Sequence, residues 1–412
     1  MKDNGYDRWA LQSVVEALGV FRIVFVAGVR QCGKTTLTKQ LELPNVDFRS
    51  LDISAQMNVA LDDPSGFVRR YGGRTMVIDE VQKAPKLLSE IKAAVDEDTA
   101  KGQYLLTGSA DLKKLPAVTE SLAGRMGIVR LRPLAHGEVA GNKPSFVEKA
   151  FAGDFPQTTT TGYDRRAVLE LAFRGGYGET FGMDGKARRL WFKSYLDAML
   201  LHDVRDLMDV RSYQILRRMA VDVLARSSKF FSEAELMSAY GIKHETFSRF
   251  MSILKTMYLI DEVPAWSSTD YGGVGKKAKF FAADTGMVAS MLNWSEEEVF
   301  FDSDRSGKMV ESWVYNQLVA QTDMNPDFVV SQYRDSRKRE IDFMVENGNG
   351  DILGIEVKAG SEVGRGDFSH LAWFRDSLLE GRRFTGIVLY TGETTLPFGR
   401  DLYAVPVGAI CS

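Results

Sequence analysis

The chain has 412 residues, of which 44% are hydrophobic, 26% charged and 11% aromatic: too apolar for a disordered chain, too charged for a membrane-embedded one, and long enough for two to four domains. Fifty-two Lys and Arg against 55 Asp and Glu leave a formal charge of −3, which offers no global electrostatic case for nucleic acid. With no apolar run long enough for a bilayer and no basic-then-apolar start, the sequence predicts a cytoplasmic protein without membrane contact.

Cys32 and Cys411, with four scattered histidines, exclude a disulfide framework and a zinc cluster, so any metal should have oxygen ligands. The first 135 residues alternate apolar β-rich runs with helical stretches, the pattern of a parallel α/β domain. Residues 22–27, 75–78 and 104–106 read as buried strands. Directly after the first, Gly28-Val-Arg-Gln-Cys-Gly-Lys-Thr35 fits G-x-x-x-x-G-K-[ST] and opens a predicted helix near Thr36. In such a loop the backbone N–H groups of Gly28, Arg30, Gln31, Cys32, Gly33 and Thr36 cradle phosphates, with the helix dipole assisting. Lys34 reaches the β- and γ-phosphates of ATP, and Thr35 ligates Mg2+.

Asp79 and Glu80 stand at the carboxyl end of the second strand, where open parallel sheets bind ligands. Asp79 suits magnesium and Glu80 the activation of water. After the third strand, Thr107 or Ser109 is placed for the γ-phosphate or the water, and either also suits an ordinary turn. Arg125 is the first candidate for positive charge at the transition state, with Arg130 and Arg132 behind it. If Arg125 acts in trans, hydrolysis requires a homo-oligomer.

Gly, Pro and Thr punctuation predicts a linker or loop over residues 141–162. Helical periodicity follows from 163 to 228, with Trp191, Tyr195, Met199 and Leu200 on one stripe. Ser232-Glu-Ala-Glu235 has the form of a capping box and opens a helix ending at Gly241. Phe247, Phe250, Met251, Leu254, Met257 and Tyr258 then make one apolar face of a second helix, leaving Ser248, Arg249, Ser252 and Lys255 outward. This is a helix-turn-helix pattern, with residues 271–279 as a basic wing. Eleven Lys and Arg against nine Asp and Glu in residues 206–280 is a thin excess for a DNA surface, and domain packing alone explains the module as well.

Toward the C-terminus, a helix over 307–322 precedes strands 328–333, 341–346 and 352–359, a helix near 366–379 and a strand at 385–390. Alternation turns Asp342 away from Ile341 and Phe343, and sets Glu356 and Lys358 on one face of the next strand. Glu311 shares its helix face with Val314, Tyr315 and Leu318, so a metal or cation partner is expected for it.

Residues 28–37, 77–82, 106–109 and 121–125 resemble the AAA-type ATP-binding proteins of bacteria and archaea, in which the ATPase core precedes a domain of unassigned function ending in a nuclease-like fold. The likeness continues through Phe173–Glu179, Lys279–Gly286 and Glu340–Phe343, departing at Gly178, where the pattern usually has proline. Asp203 and Asp284 are two further acidic residues of family-like segments, each as suited to bracing as to acting. Asp342, Glu356 and Lys358 resemble the PD-(D/E)xK signature of restriction-endonuclease-like nucleases, with Glu311 matching the acidic residue of the first helix and Ile341 in place of proline.

The resemblance implies Mg2+ at Asp342, Glu356 and Glu311, with Lys358 positioning water. Arg334, Arg337, Lys338 and Arg339 would form a basic rim, although residues 303–412 carry twelve Lys and Arg against sixteen Asp and Glu. The expected architecture is a P-loop AAA-type core (1–140), a linker and helical region (141–228), a winged helix-turn-helix (229–300) and a PD-(D/E)xK α/β domain (301–412). The expected function is ATP hydrolysis coupled to Mg2+-dependent DNA cleavage; the alternative is a nucleotide-controlled switch that binds DNA or protein over an inactive nuclease-like scaffold.

Overall fold

The computed structural model describes residues 5–42, 45–69, 73–108, 122–155, 160–204, 210–268, 277–379 and 381–412. Contacts divide the chain into two units: Met1–Pro133 with Thr256–Tyr258, and Leu134–Lys255 with Leu259–Ser412. Among the described residues no helix is long and apolar enough to cross a membrane.

In the first unit, β1 (Ile23–Ala27), β2 (Val46–Ser50), β3 (Thr75–Asp79), β4 (Tyr104–Gly108) and β5 (Met126–Arg130) form a parallel sheet in the order β2-β3-β4-β1-β5. β1 and β4 are buried throughout, as strands covered on both faces must be, which is why they read as continuous apolar runs. Helix Lys86–Glu97 buries Leu87, Leu88, Ile91 and Val95, each contributing about 1.5–3 kcal/mol. Because all five strands run one way, their carboxyl ends share one edge, and the loops after β1, β3 and β4 meet there.

The second unit contains helices Gly185–Val204, Val210–Leu224, Glu233–Tyr240 and His244–Thr256, then an antiparallel pair, β6 (Ile260–Val263) and β7 (Lys279–Ala282). Ser232 caps helix Glu233–Tyr240 by accepting the Glu235 N–H, and Gly241 ends it at φ +60°, as the capping box predicts. Phe247, Phe250, Met251 and Leu254 are buried, whereas Ser248, Arg249, Ser252 and Lys255 are exposed. After helix Ser303–Thr322 come β8 (Val329–Arg334), β9 (Glu340–Glu346), β10 (Ile352–Lys358), β11 (Phe384–Tyr390), β12 (Leu396–Pro397) and β13 (Leu402–Pro406). They form a mixed sheet in the order β12-β13-β11-β10-β9-β8.

The expectation of a linker or loop over 141–162 is corrected. Phe146–Ala152 is a helix with Phe146, Val147 and Ala150 buried. The Phe146 N–H donates to the Ser412 carbonyl at 2.7 Å, and Phe151 stacks on Phe328. Three buried apolar side chains and these contacts outweigh the local glycines and prolines.

Asp284 braces this unit. Fully buried, it caps helix Thr285–Met291 through the Met287 N–H (2.8 Å) and accepts the Gly176 N–H (2.6 Å), while Thr285 Oγ1 donates to the Ala172 carbonyl. The two segments around residues 173–179 and 279–286 are thus one joint. Burial pushes the Asp284 carboxyl up to about 6 against the pull of its N–H donors. The folded state therefore holds this proton more tightly than the unfolded chain, where an aspartate titrates near pH ~3.9. That stabilisation is complete below pH ~4 and lost as pH rises through about 6. Thermal unfolding at pH 4–7 should show this decline in wild type and lose it in Asp284→Asn. Asp284→Ala should cost about 2–4 kcal/mol through the lost cap and a buried, unsatisfied N–H.

Candidate functional site

The loop after β1 is shaped by its glycines. A Cβ on Gly28 would lie 2.3 Å from the Leu131 carbonyl oxygen, and Gly33 takes φ +96°. Between them Arg30 is partly buried, Gln31 exposed at φ +60°, and Cys32 buried with its Sγ 3.5 Å from the Leu131 carbonyl. Helix Lys34–Gln40 follows directly, with Thr36 exposed. Lys34 Nζ, buried, donates to the Gly28 and Val29 carbonyls at 2.9 Å each. Arg8 braces the loop: 7% exposed, it donates to the Cys32 and Arg132 carbonyls, both at 2.7 Å. No motif marks Arg8, because its partners are backbone atoms remote in sequence.

Asp79, 2% exposed, sits where the sequence places it. Thr35 Oγ1 donates to one carboxylate oxygen at 2.9 Å and Thr107 Oγ1 to the other. A hydroxyl and a carboxylate side by side are hard oxygen donors of the kind magnesium takes, so Thr35 and Asp79 fit that ion. Glu80 is left-handed (φ +59°), donates its N–H to Thr107 Oγ1 at 3.2 Å and accepts a hydrogen bond from Gln82 Nε2. Thr107 and Gln82 thereby position the two acidic residues. Ser109 lies outside the described residues.

The arginines separate along β5. The Ile23 N–H donates to the Arg125 carbonyl, and the Arg125 guanidinium pairs with Asp96. Arg125 therefore stands at the amino edge of the sheet, roughly 15 Å of strand from the phosphate loop. The structure does not bring it to the phosphate loop of its own chain. Arg130 pairs in register with Ala27, next to the loop.

In the second unit, Asp342 on β9 accepts the Val357 N–H of β10 at 2.9 Å, and Glu356 is 8% exposed with Oε1 making no hydrogen bond. Lys358 Nζ lies 3.6 Å from Asp367. The expectation of a cation partner for Glu311 is met by a lysine that the sequence places in a basic wing. Lys279 Nζ of β7 is 2.6 Å from Glu311, 2.9 Å from Glu340 and 3.4 Å from Asp342.

Burial opposes charge on Lys279, but the carboxylates of Glu311, Asp342 and Glu340 outweigh it and hold its pKa above the ordinary value. Burial, then Asp342, pushes Glu311 up to about 8 against the pull of Lys279. Burial and Asp342 likewise hold Glu356 well above the usual carboxylate range. Among the described residues no three His, Cys, Asp or Glu side chains are arranged to hold a metal ion. As arranged, Glu311, Asp342 and Glu356 do not fit the metal that the nuclease resemblance implied, because an ammonium stands between the first two.

Residues 20–140 match the family model described as AAA domain, and residues 165–298 and 306–410 match two described as domains of unknown function, DUF8612 and DUF4143. With the loop geometry above, the N-terminal match makes this part an AAA-type P-loop ATPase-like domain. The uncharacterized proteins Mb2031c of Mycobacterium bovis and Rv2008c of Mycobacterium tuberculosis are each 25% identical over 401 residues, spanning 94% of this chain and 80% of theirs. The Walker-type ATPase PABY2304 of Pyrococcus abyssi aligns with 71% of this chain and 97% of its own at 15% identity, with a TM-score of 0.42.

Arg8→Ala removes two charge-assisted hydrogen bonds and should lower the stability of the first unit by about 3 kcal/mol. Denaturant unfolding, paired with an ATP titration that shows weaker binding, checks it.

Proposed function

We propose that the protein is a Mg2+-dependent ATPase that acts as a nucleotide-controlled switch. The observation that supports it most is the convergence of Thr35, Asp79 and Thr107 beside Lys34 at the carboxyl edge of a parallel sheet. In this reading Lys34 exchanges its carbonyl partners for β- and γ-phosphate oxygens. Thr35 and Asp79 would hold Mg2+, which would supply positive charge to the phosphates. Glu80 takes the proton of the attacking water, held by Gln82, and Thr107 or Ser109 senses the γ-phosphate. Arg130 is the charge donor within the subunit, and Arg125 acts only across a boundary between self-associated copies.

The output belongs to the second unit. Helices Glu233–Tyr240 and His244–Thr256 with the β6–β7 pair support a winged-helix reading over 229–300, with Arg249 outward toward a DNA or protein partner. The C-terminal sheet is read as a PD-(D/E)xK-like scaffold. The competing reading, DNA cleavage there, draws on Asp342 and Glu356 lying on adjacent strands β9 and β10 with Lys358 two residues on.

Lys34→Ala should reduce ATP turnover to background, and Glu80→Gln should keep nucleotide binding while turnover falls on the order of 100-fold or more. Phosphate release and nucleotide titration check both, and unchanged turnover in Lys34→Ala rejects the ATPase reading. Mixing Arg125→Ala with Glu80→Ala restores activity only if Arg125 acts between copies. Linear, circular, branched and single-stranded DNA, with Mg2+ or Mn2+ and with or without ATP, test cleavage: equal background cutting by wild type and Lys358→Ala removes that reading.

A further inference from the structure

We infer that Lys279 is the resident cation of the carboxylate cluster on helix Ser303–Thr322, β9 and β10, an ammonium filling the place where a nuclease-like site would carry a divalent metal. This rests on reading the C-terminal sheet as a scaffold. Lys279 is 2% exposed, and its Nζ lies 2.6 Å from Glu311 Oε1, 2.9 Å from Glu340 Oε1 and 3.4 Å from Asp342 Oδ1.

Magnesium or calcium takes its oxygens at ~2.0–2.6 Å. To bridge Glu311 and Asp342, such an ion would have to sit where this nitrogen does. Both cations cannot share the pocket, because like charges a few ångströms apart repel strongly where water does not screen them. The lysine is also held from its sides. Its Nζ lies 5.5 Å from the Phe230 ring centroid and 5.8 Å from that of Phe281, and the second Asp342 oxygen is committed to the Val357 N–H.

The cation is delivered by β7, which belongs to the β6–β7 pair and not to the C-terminal sheet. The contact therefore ties the segment read as a winged helix to the segment read as a nuclease fold. A cluster satisfied in this way is a clamp between those segments, and it takes no divalent ion while the clamp is closed.

Nucleotide-free, full-length protein titrated with Mn2+ and followed by electron paramagnetic resonance tests this. Up to about 1 mM, wild type and an Asp342→Asn, Glu356→Gln double variant should take up the same amount of Mn2+. One ion bound by wild type and not by the double variant overturns the inference. Lys279→Met should lose on the order of 10 °C of unfolding temperature and recover part of it with Mn2+, because the bared carboxylates then need a cation. Lys279→Arg should keep most of the wild-type temperature. A Lys279→Met protein as stable as wild type and indifferent to Mn2+ overturns the inference as well. If Lys279→Met does not fold, the wild-type titration decides alone. ATP turnover in the same preparations reports on the first unit, so failure of the ATPase reading is distinguished from failure of the clamp.

Discussion

One ammonium, that of Lys279, must answer the charge of several buried carboxylates, and the second unit is arranged around that requirement. A buried ion pair repays its desolvation only with close geometry, and removing one partner leaves a costly bare charge. Here the geometry comes in matched pairs. Lys279 and Phe281 are two apart on β7, Glu311 and Tyr315 one turn apart on helix Ser303–Thr322, and Asp342 and Phe343 adjacent on β9. The three aromatic rings meet as the charges do: Phe281 stacks on Tyr315 at 4.3 Å and lies 5.3 Å from Phe343. The rings supply buried area and the charges fix the register, so a slip of any one element breaks both sets at once. The elevated pKa values of Glu311 and Glu356 belong to the same balance, since protons take up the negative charge that one lysine cannot.

A different constraint organises the first unit. β4 lies between β3 and β1, so Thr107 of β4 reaches the Asp79 carboxylate from the neighbouring strand while Thr35 reaches it from the loop after β1. Parallel strands bring these groups to one edge, and the sequential order of the strands does not reveal which loops become neighbours there. The same geometry separates Arg125 from Arg130. Five residues apart on a strand and its approach, they face opposite edges of the sheet, and only one edge carries the phosphate loop.

Much of this was legible in the sequence where the signal is local. The phosphate loop and Asp79-Glu80 sit beside fully buried strands, and the capping box at Ser232 announced its helix. What was missed has a consistent cause. β2 is only partly buried and interrupts its apolar residues with Asp47 and Arg49, while β5 carries Gly127 and an exposed Ile128, as edge strands tolerate. Helix Phe146–Ala152 is seven residues long, too short for a period to show. The sequence puts Lys279 at the end of a basic wing over 271–279, where its amine would be a cation for a partner. Its partners lie 32 to 63 residues away, and only the packing of a helix and a second sheet brings them to it.

The same internal use of charge bears on the net −3 and the thin cationic excess of the regions read as DNA-binding. In the basic run after β8, Arg339 pairs with Asp335 at 2.6 Å and lies over the Trp373 ring, and Arg334 lies over Phe230 and 4.0 Å from Glu340. Of that run, Arg334, Arg337 and Lys338 are exposed. On the outward face of helix His244–Thr256, Lys255 is 2.7 Å from Glu262, and Arg249 is exposed. Each neutralised phosphate needs a cation, and in these two regions the fold has already directed part of the cationic charge to carboxylates and aromatic rings of its own. The formal charge thus understates the problem for a nuclease: what a nucleic acid would meet is set by the cations that packing leaves outside.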